Sequence, residues 1–218
     1  MHRLADRQPV HGPQLSPGVT LLRRPDGDAR ALYRLVGATL DGGHALWVDA
    51  GSRARTYDLD GLADRGALAG LRVARAFTAY QHRTLIDRAV ARAGPRTDLL
   101  VAPCTAALYR DDDVPDGVAR DLLADALGTL DDAADRDDVA VLLTATGDAA
   151  LDERLAAAAD RELDAVRTRE DVRFEGDAAA TVYQRRDGFQ TTIDYWVDLF
   201  GCVCDAPAAP SGHAAVVG

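Results

Sequence analysis

The chain contains no lysine and no asparagine, and all 25 of its basic residues are arginine. Chemistry that needs a lysine amine is thereby excluded, both a Schiff base with a carbonyl and the P-loop lysine that grips a nucleotide phosphate. Glutamate is scarce too, with four residues (Glu153, Glu162, Glu170 and Glu175) against 31 aspartates. Cysteine occurs three times, as Cys104, Cys202 and Cys204. The C-x-C pair at Cys202 and Cys204 could bind a metal or oxidise. No Cys/His cluster completes a zinc set, however, and the thiols read as unpaired in a reducing cytoplasm. No apolar run approaches the roughly 20 residues of a membrane span, and the N-terminus lacks the apolar core of a signal peptide. The expectation is a cytoplasmic protein with no membrane partner.

What is present is ordinary for a globular chain. The 218 residues are 47% apolar and 28% charged, enough for one domain with an ample core. The net charge of −10, with Asp and Arg in place of Glu and Lys, resembles the composition of extreme halophiles with GC-rich genomes. An acidic surface stays soluble in concentrated salt, where the Debye length shrinks to about 3 Å. On that reading the charge reports habitat, while still arguing against a broad basic surface for nucleic acid.

Residues 1–17, marked by Pro9, Pro13 and Pro17, read as an irregular lead-in, and residues 201–218 as a flexible tail. Between them, residues 18–200 read as one core domain. Val19–Leu22, Ala45–Val48, Leu71–Ala76, Leu99–Ala102 and Val139–Thr144 read as short, mainly apolar strands. Helical spacing is predicted over Asp28–Leu40, weakly over Asp58–Leu68, over Tyr80–Ala93 and over Asp116–Asp135, the last with Val118, Leu122, Leu123, Ala126, Leu127 and Leu130 on one face. Apolar strands alternating with helices predict an α/β fold, a mainly parallel sheet with helices on both faces. Asp160–Val166, Asp171–Glu175, Ala180–Arg186 and Thr191–Val197 alternate with a period of two, and Asp187-Gly188 is a hairpin signal. They predict a C-terminal antiparallel extension.

Ligands of an open parallel sheet bind beyond the carboxyl ends of its strands. After the first strand runs Arg23-Arg24-Pro25-Asp26-Gly27-Asp28-Ala29-Arg30, where a phosphate-cradling loop would lie. It has one glycine, a proline and two aspartates that repel an anion, so a plain turn with Asp28 as helix cap is the simpler reading. Tyr80-Gln81-His82 begins a helix and reads as a cap or packing element. Asp49 at the end of the second strand reads as a structural hydrogen-bonding group. Asp111–Asp113 reads as a hydrated loop, and Tyr195, Trp196 and Phe200 as core or interface aromatics. No Ser/His/Asp or Cys/His arrangement emerges from the spacing.

The order of elements resembles the ATPase core of the RecA superfamily, in particular archaeal RadA recombinases and their paralogues. Gly18-Val19-Thr20-Leu21-Leu22, Ala45-Leu46-Trp47-Val48-Asp49 and Leu71-Arg72-Val73-Ala74-Arg75-Ala76-Phe77 with Tyr80-Gln81-His82 carry the likeness. Asp98-Leu99-Leu100-Val101 resembles the Walker B strand, and Asp138–Thr144 the strand after it. The similarity spans roughly residues 18–200 and implies a RecA-like P-loop core. It also implies that the positions of the family's chemistry are altered. Walker A would be Arg23–Arg30, without its lysine or its magnesium-binding hydroxyl. The Walker B aspartate would fall at Pro103, and the catalytic glutamate at Gly51. Phosphoryl transfer depends on those groups together, so the expectation is no ATPase activity and no cofactor or metal.

The loops that bind DNA in active recombinases would correspond to the acidic Arg110–Gly117 and to Ala145–Ala150. Arg154, Arg161, Arg167, Arg169 and Arg173 follow the second loop and are the candidate nucleic-acid contacts, although interleaved acids favour an ion-paired, solvated face. The resulting expectation is a pseudo-ATPase that acts in DNA recombination or repair through protein contacts, with a RadA-like or other repair subunit or with itself. A different class of function stays open, a nucleotide or single-stranded DNA binder using Arg23, Arg24, Arg30 and the Arg154–Arg173 group. A cell-division or signalling relative of the same fold stays open as well.

Overall fold

The computed structural model describes residues 13–23, 29–40, 43–50, 70–110, 114–167, 172–176, 183–185 and 188–190. The helix expected over Asp58–Leu68, the strand expected over Thr191–Val197, Asp111–Asp113, Phe200, Cys202 and Cys204 lie outside them. The elements, in order, begin with β1 (Gly18–Arg23), α1 (Ala29–Leu40), β2 (His44–Ala50), β3 (Leu71–Ala76) and α2 (Ala79–Arg92). Next come β4 (Thr97–Ala102), a 3-10 helix (Thr105–Arg110), α3 (Asp116–Asp137), β5 (Ala140–Thr144) and α4 (Ala149–Ala157). The described chain closes with β6 (Arg161–Arg167), β7 (Val172–Glu175), β8 (Tyr183–Arg185) and β9 (Gly188–Gln190).

The architecture is α/β with a mostly parallel seven-stranded sheet, in the order β3-β2-β4-β5-β1-β6-β7. β1 lies inside it, with Leu21 opposite Leu143 of β5 and Glu162 of β6. Buried side chains divide between the two faces as the alternation of a strand requires. Leu22, Trp47, Val101 and Leu142 pack with α1 on one face, while Leu21, Val48, Leu100 and Val141 pack with α2, α3 and α4 on the other. Strands buried on both sides need continuous apolar sequence, and that is why β4 and β5 read as unbroken runs.

Two expectations change. The segment over Asp160–Val166 belongs to the parallel sheet: β6 runs parallel to β1, and only β7 and the separate β8–β9 pair are antiparallel. A parallel partner needs a crossover, and α4, where the sequence raised no helix expectation, supplies it. Within α3 the buried stripe is Ala119, Leu123, Ala126, Leu127, Leu130, Ala133 and Ala134. Val118 is 39% exposed and Leu122 only half-buried, because the small Ala119, Ala126, Ala133 and Ala134 turn inward and allow close packing.

Local chemistry sets the ends of the elements. Gly18 opens β1 at φ 108°, and a Cβ there would lie 2.7 Å from the Asp160 carboxylate that accepts the Val19 N–H, so no larger residue fits. Thr78 caps α2 by accepting the Gln81 N–H at 3.2 Å, while Gln81 Oε1 reaches back to accept the Phe77 N–H at 3.0 Å. This reciprocal bonding is close to a capping box. Thr78→Ala is expected to lower stability by about 1 kcal/mol, read from urea unfolding midpoints. An unchanged midpoint would show that the cap carries no weight.

Candidate functional site

All six parallel strands end at the same edge of the sheet, so Arg23, Asp49, Phe77, Pro103, Thr144 and Arg167 lie at or just beyond that edge. Neighbouring β1 and β5 are left by connections on opposite faces, through α1 and α4 respectively. Their carboxyl ends therefore frame the crevice where a sheet of this kind binds ligands. Arg23 and Asp49, three strands apart, are separated by about 14 Å at roughly 4.8 Å per strand.

Carboxylates of the chain itself gather at the carboxyl ends of β1 and β5. On the β1 side, Arg23 Nε bonds Glu162 Oε2 of β6 at 2.5 Å. The Glu162 bond, and the nearby charges of Glu162, Asp152 and Asp164, hold the guanidinium above its usual range, against a smaller desolvation effect. Among the described residues, three negative charges, Glu162, Asp152 and Asp164, thus act on Arg23. On the β5 side, Asp152 is only 8% exposed and accepts the Thr146 N–H at 2.7 Å, the Thr146 hydroxyl at 2.9 Å and the Gly147 N–H at 2.9 Å. Asp148 caps α4, accepting from Ala150 N and Leu151 N. The N–H groups that an anion would need at this helix start are already bonded to these side chains.

The turn after β4 is fixed from below. Cys104 sits at φ 54°, and its N–H donates to Thr144 Oγ1 at 2.8 Å across the sheet. Thr105 Oγ1 donates to the Ala102 carbonyl at 2.7 Å. Pro103 is buried in this turn. Asp49 is fully buried and ion-paired at 3.7 Å with Arg75, its register partner on β3. Behind this corner, His82 and Tyr109 join α2 to the 3-10 helix through a 2.9 Å contact of Nδ1 with the phenol oxygen, their rings edge-on.

No protein-family model matches the chain, and no curated protein matches it.

The structure brings Arg23, Asp49 and Pro103 to one edge but does not join them into a single cluster. Arg30 lies exposed in the first turn of α1, while Arg24, Gly27, Asp28 and Gly51 lie outside the described residues. The arginines considered for nucleic acid lie apart. Arg161 and Arg167 stand at opposite ends of β6, about 20 Å apart at ~3.3 Å per residue. Arg161 donates to the Ser16 carbonyl at 3.0 Å and to that of Pro17, and Arg173 pairs with Glu175 on its own strand. Arg154 is exposed on α4, and Arg169 lies outside the described residues. Sequence reasoning passed over Thr144, Thr146, Asp148 and Asp152. The run Thr146-Gly147-Asp148 followed by Asp152 is a helix-start pattern that could have revealed the last three.

Proposed function

We propose that this chain is a RecA/RadA-like paralogue without ATPase activity, an accessory or regulatory protein of DNA recombination and repair that works through protein contacts in a salt-rich cytoplasm. The reading is carried by one observation, the chain's own carboxylates gathered around Arg23 at the carboxyl end of β1. A nucleoside triphosphate brings about four negative charges. It would meet Arg23 already bonded to Glu162, with Asp152 and Asp164 close by. Phosphoryl transfer needs positive charge placed around the phosphates, and Arg23 is already engaged by the chain's own acids. The interior place of β1 and the mostly parallel sheet are what a RecA-like core would require, which supports the resemblance at the level of fold.

Calorimetric titration with magnesium ATP, together with a phosphate-release assay, tests this directly. The expected result is no stoichiometric binding into the millimolar range and no turnover. Binding at one site per chain, or turnover lost on changing Arg30, would overturn it. The partner is expected to be a RadA-like subunit, another repair subunit or a second copy. A pull-down from native high-salt lysate with mass identification would name it, and recovery of only unrelated proteins counts against the repair role.

A further inference from the structure

β3 closes one side of the sheet, and the chain turns there into α2, which runs back along the strands to β4. Large apolar side chains exposed among the described residues are Val73, Phe77, Tyr80 and Val118, and the first three lie on β3, just after it and at the start of α2. Phe77 is 68% exposed and Tyr80 53%. The two rings border a shallow hollow of about 510 Å³, with Leu85, Arg75 and Arg88 also in its lining. Exposed apolar groups gathered in this way mark a contact with a protein or a membrane.

Charge on this side runs against the rest of the chain. Between Leu71 and Arg96 stand six arginines and one acid, Asp87, which is tied to Arg83, whereas the whole chain carries −10. Arg72, Arg75, Arg88, Arg92 and Arg96 are exposed. Arg75 is anchored by Asp49 and keeps about half of its side chain in solvent. Because α2 returns antiparallel to β3, Arg72 and Arg92 come to the amino end of the sheet, and Arg75 and Tyr80 to the carboxyl end. From Tyr80 to Arg92 the helix rises about 18 Å. The cations thus spread over a strand edge and a helix face, an area and not a line.

Two kinds of anionic partner answer arginines spread on this scale, and the rings separate them. A single-stranded nucleic acid stacks successive bases on aromatic rings set along the track of its phosphates. Here both rings stand together at the carboxyl end, and no Phe, Tyr or Trp occurs from Gln81 to Arg96. An anionic lipid bilayer asks for rings that enter the headgroup layer at one place and cations spread in the plane beside them. No described helix is long and apolar enough to cross a membrane, so the contact is with its surface alone. Hydropathy along the chain registers only spanning runs, and a patch assembled from β3 and α2 leaves none to read.

We propose that the edge formed by β3 and α2 rests on an anionic lipid bilayer. Phe77 and Tyr80 enter the headgroup layer, and the hollow beside them seats one headgroup with its phosphate toward Arg75 and Arg88. Arg72 and Arg92 meet neighbouring phosphates. Planar guanidinium groups make two-point contacts with phosphate at short range, so they act even where salt shortens the Debye length. This goes beyond the reading of the chain as a pseudo-ATPase and does not rest on it.

Sedimentation of the full chain with lipid vesicles, in the lowest salt at which circular dichroism shows it folded, tests the proposal. The chain is expected to partition about 10-fold more strongly onto phosphatidylglycerol vesicles than onto phosphatidylcholine vesicles. Phe77→Ala and Arg88→Glu should each weaken that partition about 10-fold. Val118→Ala on α3 should leave it unchanged. The Phe77→Trp protein should show an emission shift to the blue on phosphatidylglycerol, beyond any shift of the unsubstituted chain. Phe77 and Arg88 are exposed, so unchanged melting temperatures separate lost binding from lost folding. If either variant melts early, Arg92→Glu takes its place with the same expected loss. No partition onto phosphatidylglycerol, equal partition onto both lipids, or partition that ignores the variants overturns the proposal. Oligothymidine that strips the chain from the vesicles at a concentration below that of the lipid also overturns it and assigns the patch to nucleic acid. Failure here leaves the ATP titration unaffected, and a positive ATP titration leaves the vesicle result unaffected, so the two readings fail separately.

Discussion

Acid is expected to unfold this chain through His82. The ring is fully buried between α2 and the 3-10 helix, and Nε2 meets no hydrogen-bond partner. Burial lowers its pKa from 6.5 to about 4, and the same burial pushes the Tyr109 phenol well above its usual value, with Arg83 opposing. The unfolded chain therefore binds a proton at this histidine as pH falls below about 6.5, while the folded chain resists until about 4. Stability from this group is complete above the unfolded value and drains away between those two pH values, for a loss of about 3 kcal/mol. Urea unfolding at pH 7 and near pH 4 measures it, with His82→Gln as reference. Carboxylates that titrate in the same range act equally on both proteins, so the difference in slope isolates the histidine. Parallel stability curves for the two proteins would refute the assignment.

Asp152→Ala is expected to cost about 3 kcal/mol. Three donors, Thr146 N–H, Thr146 Oγ1–H and Gly147 N–H, converge on this one carboxylate at 2.7 to 2.9 Å. Hydrogen bonds to a charged group are worth about 1.5–3 kcal/mol each, but bonds that share an acceptor do not add fully. The carboxylate also sits in the first turn of α4, where the helix dipole favours negative charge. In a chain of this size a loss of that order lowers the melting temperature by about 10 °C, read by calorimetry. Asp152→Asn keeps an acceptor oxygen and should lose less. A shift of under about 2 °C for the alanine variant would mean that water replaces the carboxylate at no cost.

The strands and helices of the core were legible because their signals are local. The five strands expected from Val19 to Thr144 and the helices over α1, α2 and α3 all appear, with ends within a few residues. Apolar runs bounded by glycine, proline and aspartate suffice for that. What failed was pairing direction and weak amphipathicity. Alternation of period two over Arg161–Arg167 is the same for a parallel and an antiparallel strand, and α4 buries little beyond Asp152 and Leu155, too few positions for a helical pattern to show. The cap role expected near Tyr80 is taken by Thr78 and Gln81, while His82 packs inward.

The candidate site divides in the same way. That no lysine reaches the crevice is a property of composition, settled before any folding. The ion pair of Arg23 with Glu162 joins residues 139 apart, and the bond from Cys104 to Thr144 spans 40. No local pattern can encode such partners, because they meet only when β6 and β5 take their places beside β1 and β4. So the sequence alone determined which chemistry is absent and where the core elements lie. Only the tertiary structure decided that the chain's own carboxylates gather around Arg23, and that two aromatic rings with arginines beside them stay outside the core. The reason is physical: burial and charge balance depend on neighbours in space, whereas periodicity depends on neighbours along the chain.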